Sequence, residues 1–253
     1  MNTYAEVGIN HLGDEQYALD LVKNLINTDI SGVTIQFRDK EFYKKYSKFI
    51  LNDNLFNLLK SEIKSKNKLF GVAIKDPDKI NFFDEIQTDF YKVIENDLKN
   101  DELIEKILKS SAKKVYISTG MSDSNEIKKF LRKNKKIDKK KIIFIHTTLS
   151  NKVDKVNLEA IQYLKEKFSV QVAYGNHCEN YKSMLLSLTY HPESIFFYVK
   201  GNKYKKHPDE EYAININFVQ KLVEEINLLK LSIGEYSKEK IYDIIPEKSV
   251  QKL

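Results

Sequence analysis

Short apolar runs alternate along this chain with longer stretches in which apolar residues return every third or fourth position. Ala5, Val7 and Ile9 alternate with Glu6 and Asn10, the period of a half-buried strand. The next stretch sets Tyr17, Leu21 and Leu25 at helical spacing behind Asp14, a natural N-cap. The same alternation repeats to the end of the chain. Strands are predicted near 5–10, 32–37, 69–74, 90–94, 114–119, 142–148, 171–175 and 194–200. Helices are predicted over 15–27, 45–66 with a break at Asn52-Asp53-Asn54, 76–86, 101–110, 122–134, 157–168, 179–191 and 217–230.

Strands separated by helices require parallel crossovers. Eight such units in a chain of 253 residues fit a closed (β/α)8 TIM barrel better than an open doubly wound sheet, for which no glycine-rich phosphate turn is present. The expected organisation is one barrel over residues 1–230 and a C-terminal tail over 231–253. No apolar run approaches the roughly 18 residues a membrane helix requires. The N-terminus lacks the charge and apolar pattern of a signal peptide, and a single cysteine, Cys178, makes no internal disulfide, so the cytoplasm is expected. The net charge of +6 is mostly lysine in short runs between elements, as at 135–141. Without a nucleic-acid-binding motif such runs read as solvated loops. Neither nucleic acid nor membrane is expected as a partner.

In a parallel barrel, chemistry sits at the C-terminal ends of the strands. The polar residues predicted there are Glu6, Asn10, His11, Gln36, Arg38, Asp39, Lys75, Asp76, Lys92, Glu95, Asp97, Ser118, Thr119, His146, Thr147, Thr148, Asn176 and His177. Singly, each has a structural explanation: Lys92 can pair with Glu6 in the lumen, and His146 can be a satisfied core histidine. Jointly, a lysine, a glutamate and histidines at one mouth suit carbon chemistry on an anion, with a cation to hold it and a base or acid to move protons.

Several stretches carry a resemblance: 5–14, Tyr91-Lys92-Val93 with 96–100, Ile117-Ser118-Thr119-Gly120-Met121, 156–160 with 164–168, and Tyr174-Gly175-Asn176-His177. Here the chain resembles the N-acetylneuraminate (sialic acid) synthases and their legionaminate and pseudaminate relatives, from about residue 5 to 226. The resemblance implies a (β/α)8 catalytic barrel that condenses phosphoenolpyruvate with an N-acylated sugar aldehyde in carbohydrate biosynthesis. It also implies a divalent metal, Mn2+ or Mg2+, that polarises the aldehyde oxygen. Carried over by position, it implies Glu6 and Lys92 as catalytic, with Lys92 and Ser118 on phosphoenolpyruvate. Gln36 and Asp97 would contact the sugar, with Asn10, Thr119 and Asn176 as further substrate-binding residues and His177 as a metal ligand. A homodimer is compatible with it.

The match also has gaps. The family's second metal histidine falls on Val199, Ala73 replaces a threonine, Thr34 a lysine, Leu149 a polar residue, and Glu95 and Gly175 replace serines that hold phosphoenolpyruvate. His207 and His11 are candidate replacement ligands. The antifreeze-like domain has no counterpart up to Leu253. The expectation is therefore a synthase-like barrel with a degraded metal and phosphate site and weak or absent metal binding. The alternative is a catalytically inactive barrel acting as a binding or assembly subunit.

Overall fold

A computed structural model describes residues 1–94, 98–135 and 138–234. Eight parallel strands run in sequence order and close on themselves, β1 pairing with both β2 and β8. They are β1 (Asn2–Gly8), β2 (Gly32–Phe37), β3 (Leu69–Ile74), β4 (Phe90–Val93), β5 (Lys114–Ser118), β6 (Ile142–His146), β7 (Gln171–Asn176) and β8 (Ser194–Lys200). This is the expected (β/α)8 barrel.

Helices cover the outside: α1 (Glu15–Leu25), α2 (Lys40–Lys45), α3 (Asp53–Ser65), α4 (Ile80–Glu85), α5 (Asp101–Lys109), α6 (Ser124–Lys133), α7 (Glu159–Phe168), α8 (Lys182–Ser187) and α9 (Val219–Ile233). Local chemistry sets their starts. Asp14, Asn52, Asn100 and Asp123 each accept a backbone N–H in the first turn, and Asp123 with Glu126 forms a capping box. The break read at Asn52 is real, but the piece expected before it from Lys45 is not an α-helix: α2 ends at Lys45, and only a turn of 3-10 helix at Ser47–Phe49 precedes α3. A short strand, β9 (Ile214–Asn215), adds to β8.

Several boundaries move, two of them with a clear cause or consequence. The first strand begins three residues before the expected start, because Asn2 already pairs with Ser194 of β8, and it ends at Gly8, whose φ of +56° turns the chain. The last helix runs on to Ile233, into the expected tail, and residues 235–253 lie outside the described residues.

The core has two compartments. Outward-facing residues such as Ala5, Val33, Val72, Val93, Ile117, Phe144, Val172 and Phe197 pack on the helices. Inside the barrel, Tyr4, Phe90, Tyr116, Ile143, Ile145, Ala173 and Phe196 form a second cluster. Its rings stack tightly, Tyr4 to Phe90 at 4.6 Å and Tyr116 to Phe196 at 4.9 Å between centroids. This plug fills the lower lumen beneath the polar inward-facing residues of the C-terminal mouth.

Candidate functional site at the barrel mouth

Because side chains alternate along a strand, the plug residues fix which positions above them face the lumen. Glu6 stands two residues beyond Tyr4, Lys92 two beyond Phe90, Ser118 two beyond Tyr116 and Tyr198 two beyond Phe196. Gln36, Lys92, Ser118, His177 and Tyr198 border a mouth cavity of about 470 Å3, with Ile9, Arg38, Ile94, Asn151, Asp209, Glu211 and Tyr212 around its rim.

Glu6 and Lys92 meet across the barrel. Lys92 Nζ donates to both carboxylate oxygens, at 2.6 and 2.5 Å. The two residues are 2% and 4% exposed, and the ammonium also lies 5.4 Å from the ring centres of Phe196 and Tyr198. An ammonium has three donors, so Glu6 takes two and fixes Lys92 with one left for an anion in the cavity.

His177 stands beyond the end of β7. Its Nδ1 meets Thr147 Oγ1 at 2.6 Å, and its ring packs on Tyr198 and Tyr212 at 5.5 and 4.9 Å. Burial, reinforced by the Lys92 charge, pushes its pKa down to about 3, so the imidazole is neutral. Thr147 also bears on the serine lost at Gly175. A side chain there would begin 2.8 Å from Ile145 Cγ2 and 3.6 Å from Thr147 Oγ1, so the Ile145 methyl closes that space with the Thr147 hydroxyl beside it.

The loop after β8 brings a group the sequence reading passed over. Asp209 Oδ1 accepts from the Tyr212 hydroxyl at 2.7 Å, and the Asp209 backbone N–H donates to Asn10 Oδ1 at 3.1 Å. Its Oδ2 is shut off from solvent without a hydrogen-bond partner. Burial raises the Asp209 pKa to about 6, with the nearby Glu6 charge pushing the same way and the Tyr212 hydroxyl, Lys92 and His207 opposing. The signal available in the sequence was Pro208-Asp209 just beyond the eighth strand with Tyr212 three residues on.

Several residues predicted at the mouth face elsewhere. Asn176 and His146 fall on the outward parity. Asn176 Oδ1 accepts from Tyr174 and Ser183 at 3.0 and 2.8 Å and its amide donates to the Cys178 carbonyl, while His146 Nε2 pairs with the Val156 carbonyl at 3.0 Å. His146 is thus a satisfied core histidine, its pKa lowered by burial. Thr119 donates to the Ile145 carbonyl at 2.9 Å. Asn10 ties β8 to the Asp209 loop, since its amide donates to the Val199 carbonyl at 2.8 Å. His11 accepts from Gly13 N–H in the turn after β1, and burial lowers its pKa to about 4. His207 is held by Tyr17 and Glu210 against α1. Glu95 and Asp97 lie outside the described residues.

One register reading is corrected. Val199 packs with Ile195 and Phe197 in the helix-facing core, so it does not stand at the mouth, and the lumen position beside His177 belongs to Tyr198. The run Ile195-Phe196-Phe197-Tyr198-Val199 has no polar alternation from which the inward face can be read.

This geometry bears on the implied metal. One imidazole nitrogen of His177 is engaged by Thr147, a phenol stands where a second imidazole was sought, and Glu6 is committed to Lys92. Among the described residues no three His, Cys, Asp or Glu side chains are grouped to hold a metal ion. A tightly held divalent ion needs several converging carboxylate or imidazole donors. The described residues do not fit one.

Fold and mouth together define a (β/α)8 barrel whose C-terminal end presents a buried lysine–carboxylate pair to a polar cavity. The NeuB family matches residues 21–238, and the chain belongs to that family. It is 26% identical over 244 residues to an uncharacterized protein of Methanocaldococcus jannaschii, a match covering 92% of this chain and 72% of that protein. It is 24% identical to the N,N'-diacetyllegionaminic acid synthase of Campylobacter jejuni, over 91% of this chain and 77% of the synthase. Among solved structures, the N-acetylneuraminic acid synthetase of Leptospira borgpetersenii superposes with a TM-score of 0.86 at 24% identity, covering 99% of this chain and 90% of that one.

Proposed function

We propose that this chain is a nonulosonate synthase, joining phosphoenolpyruvate to an N-acylated sugar aldehyde in carbohydrate biosynthesis. Membership of the NeuB family supports the reaction class, and the synthases of legionaminic and pseudaminic acid among its relatives support the substrate class. The observation that carries the reading to particular residues is the Glu6–Lys92 pair. It holds a buried ammonium, with a donor to spare, above an aromatic plug and beside Ser118 and Gln36.

In this reading Lys92 and Ser118 hold the phosphoenolpyruvate anion, Glu6 fixes Lys92, and Gln36 faces the sugar. Asp97 is a further sugar contact by resemblance. The partners are small molecules. No helix among the described residues is long and apolar enough to cross a membrane, in keeping with action on soluble metabolites in the cytoplasm.

The test is phosphate release from phosphoenolpyruvate by the full chain with an N-acylmannosamine or a diacetamido sugar aldehyde, with the nonulosonate product identified by mass. Turnover abolished by Lys92→Ala supports the reading. A folded chain that binds phosphoenolpyruvate but forms no product with any acylated sugar favours the inactive binding subunit instead.

A further inference from the structure

The family's resemblance calls for a Lewis acid on the aldehyde oxygen, and the donors among the described residues of this mouth do not fit one. The nucleophilic carbon of phosphoenolpyruvate still requires an electrophile whose oxygen is neutralised as the new bond forms. A positioned acid can supply this, typically contributing 10²–10⁴ in rate.

We infer that Asp209 is that acid: its carboxyl, gripped by Tyr212 and placed by Asn10, gives its proton to the sugar aldehyde oxygen in a reaction that needs no protein-bound metal. The inference rests on the reading of the chain as a synthase and adds a catalytic residue to it.

Four observations carry it. Asp209 borders the same cavity as Lys92, Ser118 and Gln36. Its Oδ1 is occupied by the Tyr212 hydroxyl at 2.7 Å, so the proton is carried on Oδ2. Oδ2 is screened from solvent and has no hydrogen-bond partner in the protein, and a buried polar atom left so is costly unless a ligand meets it. Finally, the glycine at position 8 keeps a side chain away from that oxygen: a β-carbon there would stand 3.5 Å from Oδ2 and 2.8 Å from the Tyr198 ring. The charged and titratable groups facing Asp209 are Glu6, Lys92, His207 and Tyr212, and burial outweighs the opposing groups among them, keeping part of the population protonated near neutral pH.

The C2=C3 electron pair of phosphoenolpyruvate forms the C3 bond to the aldehyde carbon. The carbonyl π pair of the aldehyde moves onto its oxygen, which takes the Asp209 proton and becomes a hydroxyl. Water adds to the electron-poor C2, and one of its protons returns to Asp209. The C2–O–phosphate bond then breaks, C2 becomes the ketone, and phosphate leaves with the remaining proton.

The experiment uses the full chain dialysed against EDTA, its metal content measured by elemental analysis and Mn2+ binding followed by electron paramagnetic resonance. The expected result is phosphate release unchanged by EDTA or by added Mn2+, and no stoichiometric Mn2+ binding. Asp209→Asn should lower kcat 10²–10⁴-fold with KM for phosphoenolpyruvate held within about two-fold. The wild-type kcat should fall above a pKa near 6, a limb absent from Asp209→Asn. Tyr212→Phe provides a second variant. Losing a bond that favours the carboxylate, it should move that limb to higher pH, which a merely structural role would not do. Turnover lost in EDTA and restored by stoichiometrically bound Mn2+ overturns the inference and leaves the synthase reading standing, as does a folded Asp209→Asn variant of unchanged kcat. No turnover by folded wild type under any of these conditions overturns both.

Discussion

Lys92 Nζ grips both oxygens of Glu6 at 2.6 and 2.5 Å, joining β1 to β4 through the centre of the barrel. Two charges this deep are costly to desolvate, and their attraction offsets that cost only while both are present. Removing one partner strands the other. Glu6→Gln or Lys92→Met should each lower stability by about 3–5 kcal/mol, read from urea unfolding at pH 7. The double variant Glu6→Leu/Lys92→Met should recover much of the loss while remaining inactive. Single variants as stable as the wild type would mean that water reaches the pair freely.

The buried titratable groups give stability opposing dependences on pH. His177 and His11 have pKa values pushed down to about 3 and 4, chiefly by burial, against 6.5 when unfolded. Their contribution is therefore complete above pH 6.5 and is lost as pH falls towards 3. Asp209 runs the other way: raised from 3.8 to about 6, its contribution is complete below pH 3.8 and lost as pH rises through 6. Asp209→Asn should accordingly match the wild type near pH 4 and exceed it at pH 8, by at most about 3 kcal/mol. His177 borders the cavity and keeps some solvent, so His177→Asn should flatten the acid limb by no more than a few kcal/mol. Unfolding free energies at pH 4, 6 and 8 decide both points.

Gly8 ends β1 with φ at +56°, in a conformation that costs a residue with a β-carbon roughly 1–2 kcal/mol. That β-carbon would also stand 2.8 Å from Tyr198 Cε1, closer than such atoms come. Gly8→Ala should therefore cost at least that much in thermal unfolding and shift Tyr198 against His177. Turnover should fall further than stability does, because Tyr198 lines the cavity.

The fold was legible because its signals are local. Capping residues, helical spacing and the repeated strand–helix unit all agree, and the helix starts read from Asp14 and Asn52 correspond to real caps. Inward residues were legible wherever a strand mixes polar with apolar positions, as at Glu6, Gln36, Lys92 and Ser118. They were illegible in strand eight, where every candidate is apolar or aromatic and a one-residue slip exchanges Val199 for Tyr198. Asn176 and His146 were misplaced for a related reason. They are polar residues at strand ends, and only three-dimensional parity shows that Tyr174, Ser183 and the Val156 carbonyl satisfy them from the helix side. Asp209 was hidden because its place depends on a loop fastened from a distant helix.

That fastening yields the last prediction. The Tyr17 hydroxyl of α1 accepts the Gly201 N–H at 3.0 Å and meets His207 Nε2 at 2.8 Å. With Tyr17 donating to Nε2, His207 Nδ1 carries the proton and donates to Glu210 at 3.1 Å. Two residues beyond His207 stands Asp209, so one phenol on the barrel wall sets the height of the loop above the mouth. A second tie lies outside it, where Lys203 and Tyr204 both meet Asp14 Oδ2 at 2.6 Å, but this pair is solvated and worth little. Tyr17→Phe leaves the ring packing in place and strands a buried N–H and an imidazole nitrogen, which should lower stability by about 1–3 kcal/mol. The loop should then loosen while the barrel stays closed. Amide exchange should rise in residues 201–213 and remain unchanged in β1 and β4. With Lys92 and Ser118 holding phosphoenolpyruvate as proposed, its KM should hold while kcat falls. Equal exchange in the loop of Tyr17→Phe and wild type would show that Asn10 and β9 hold Asp209 in place without it.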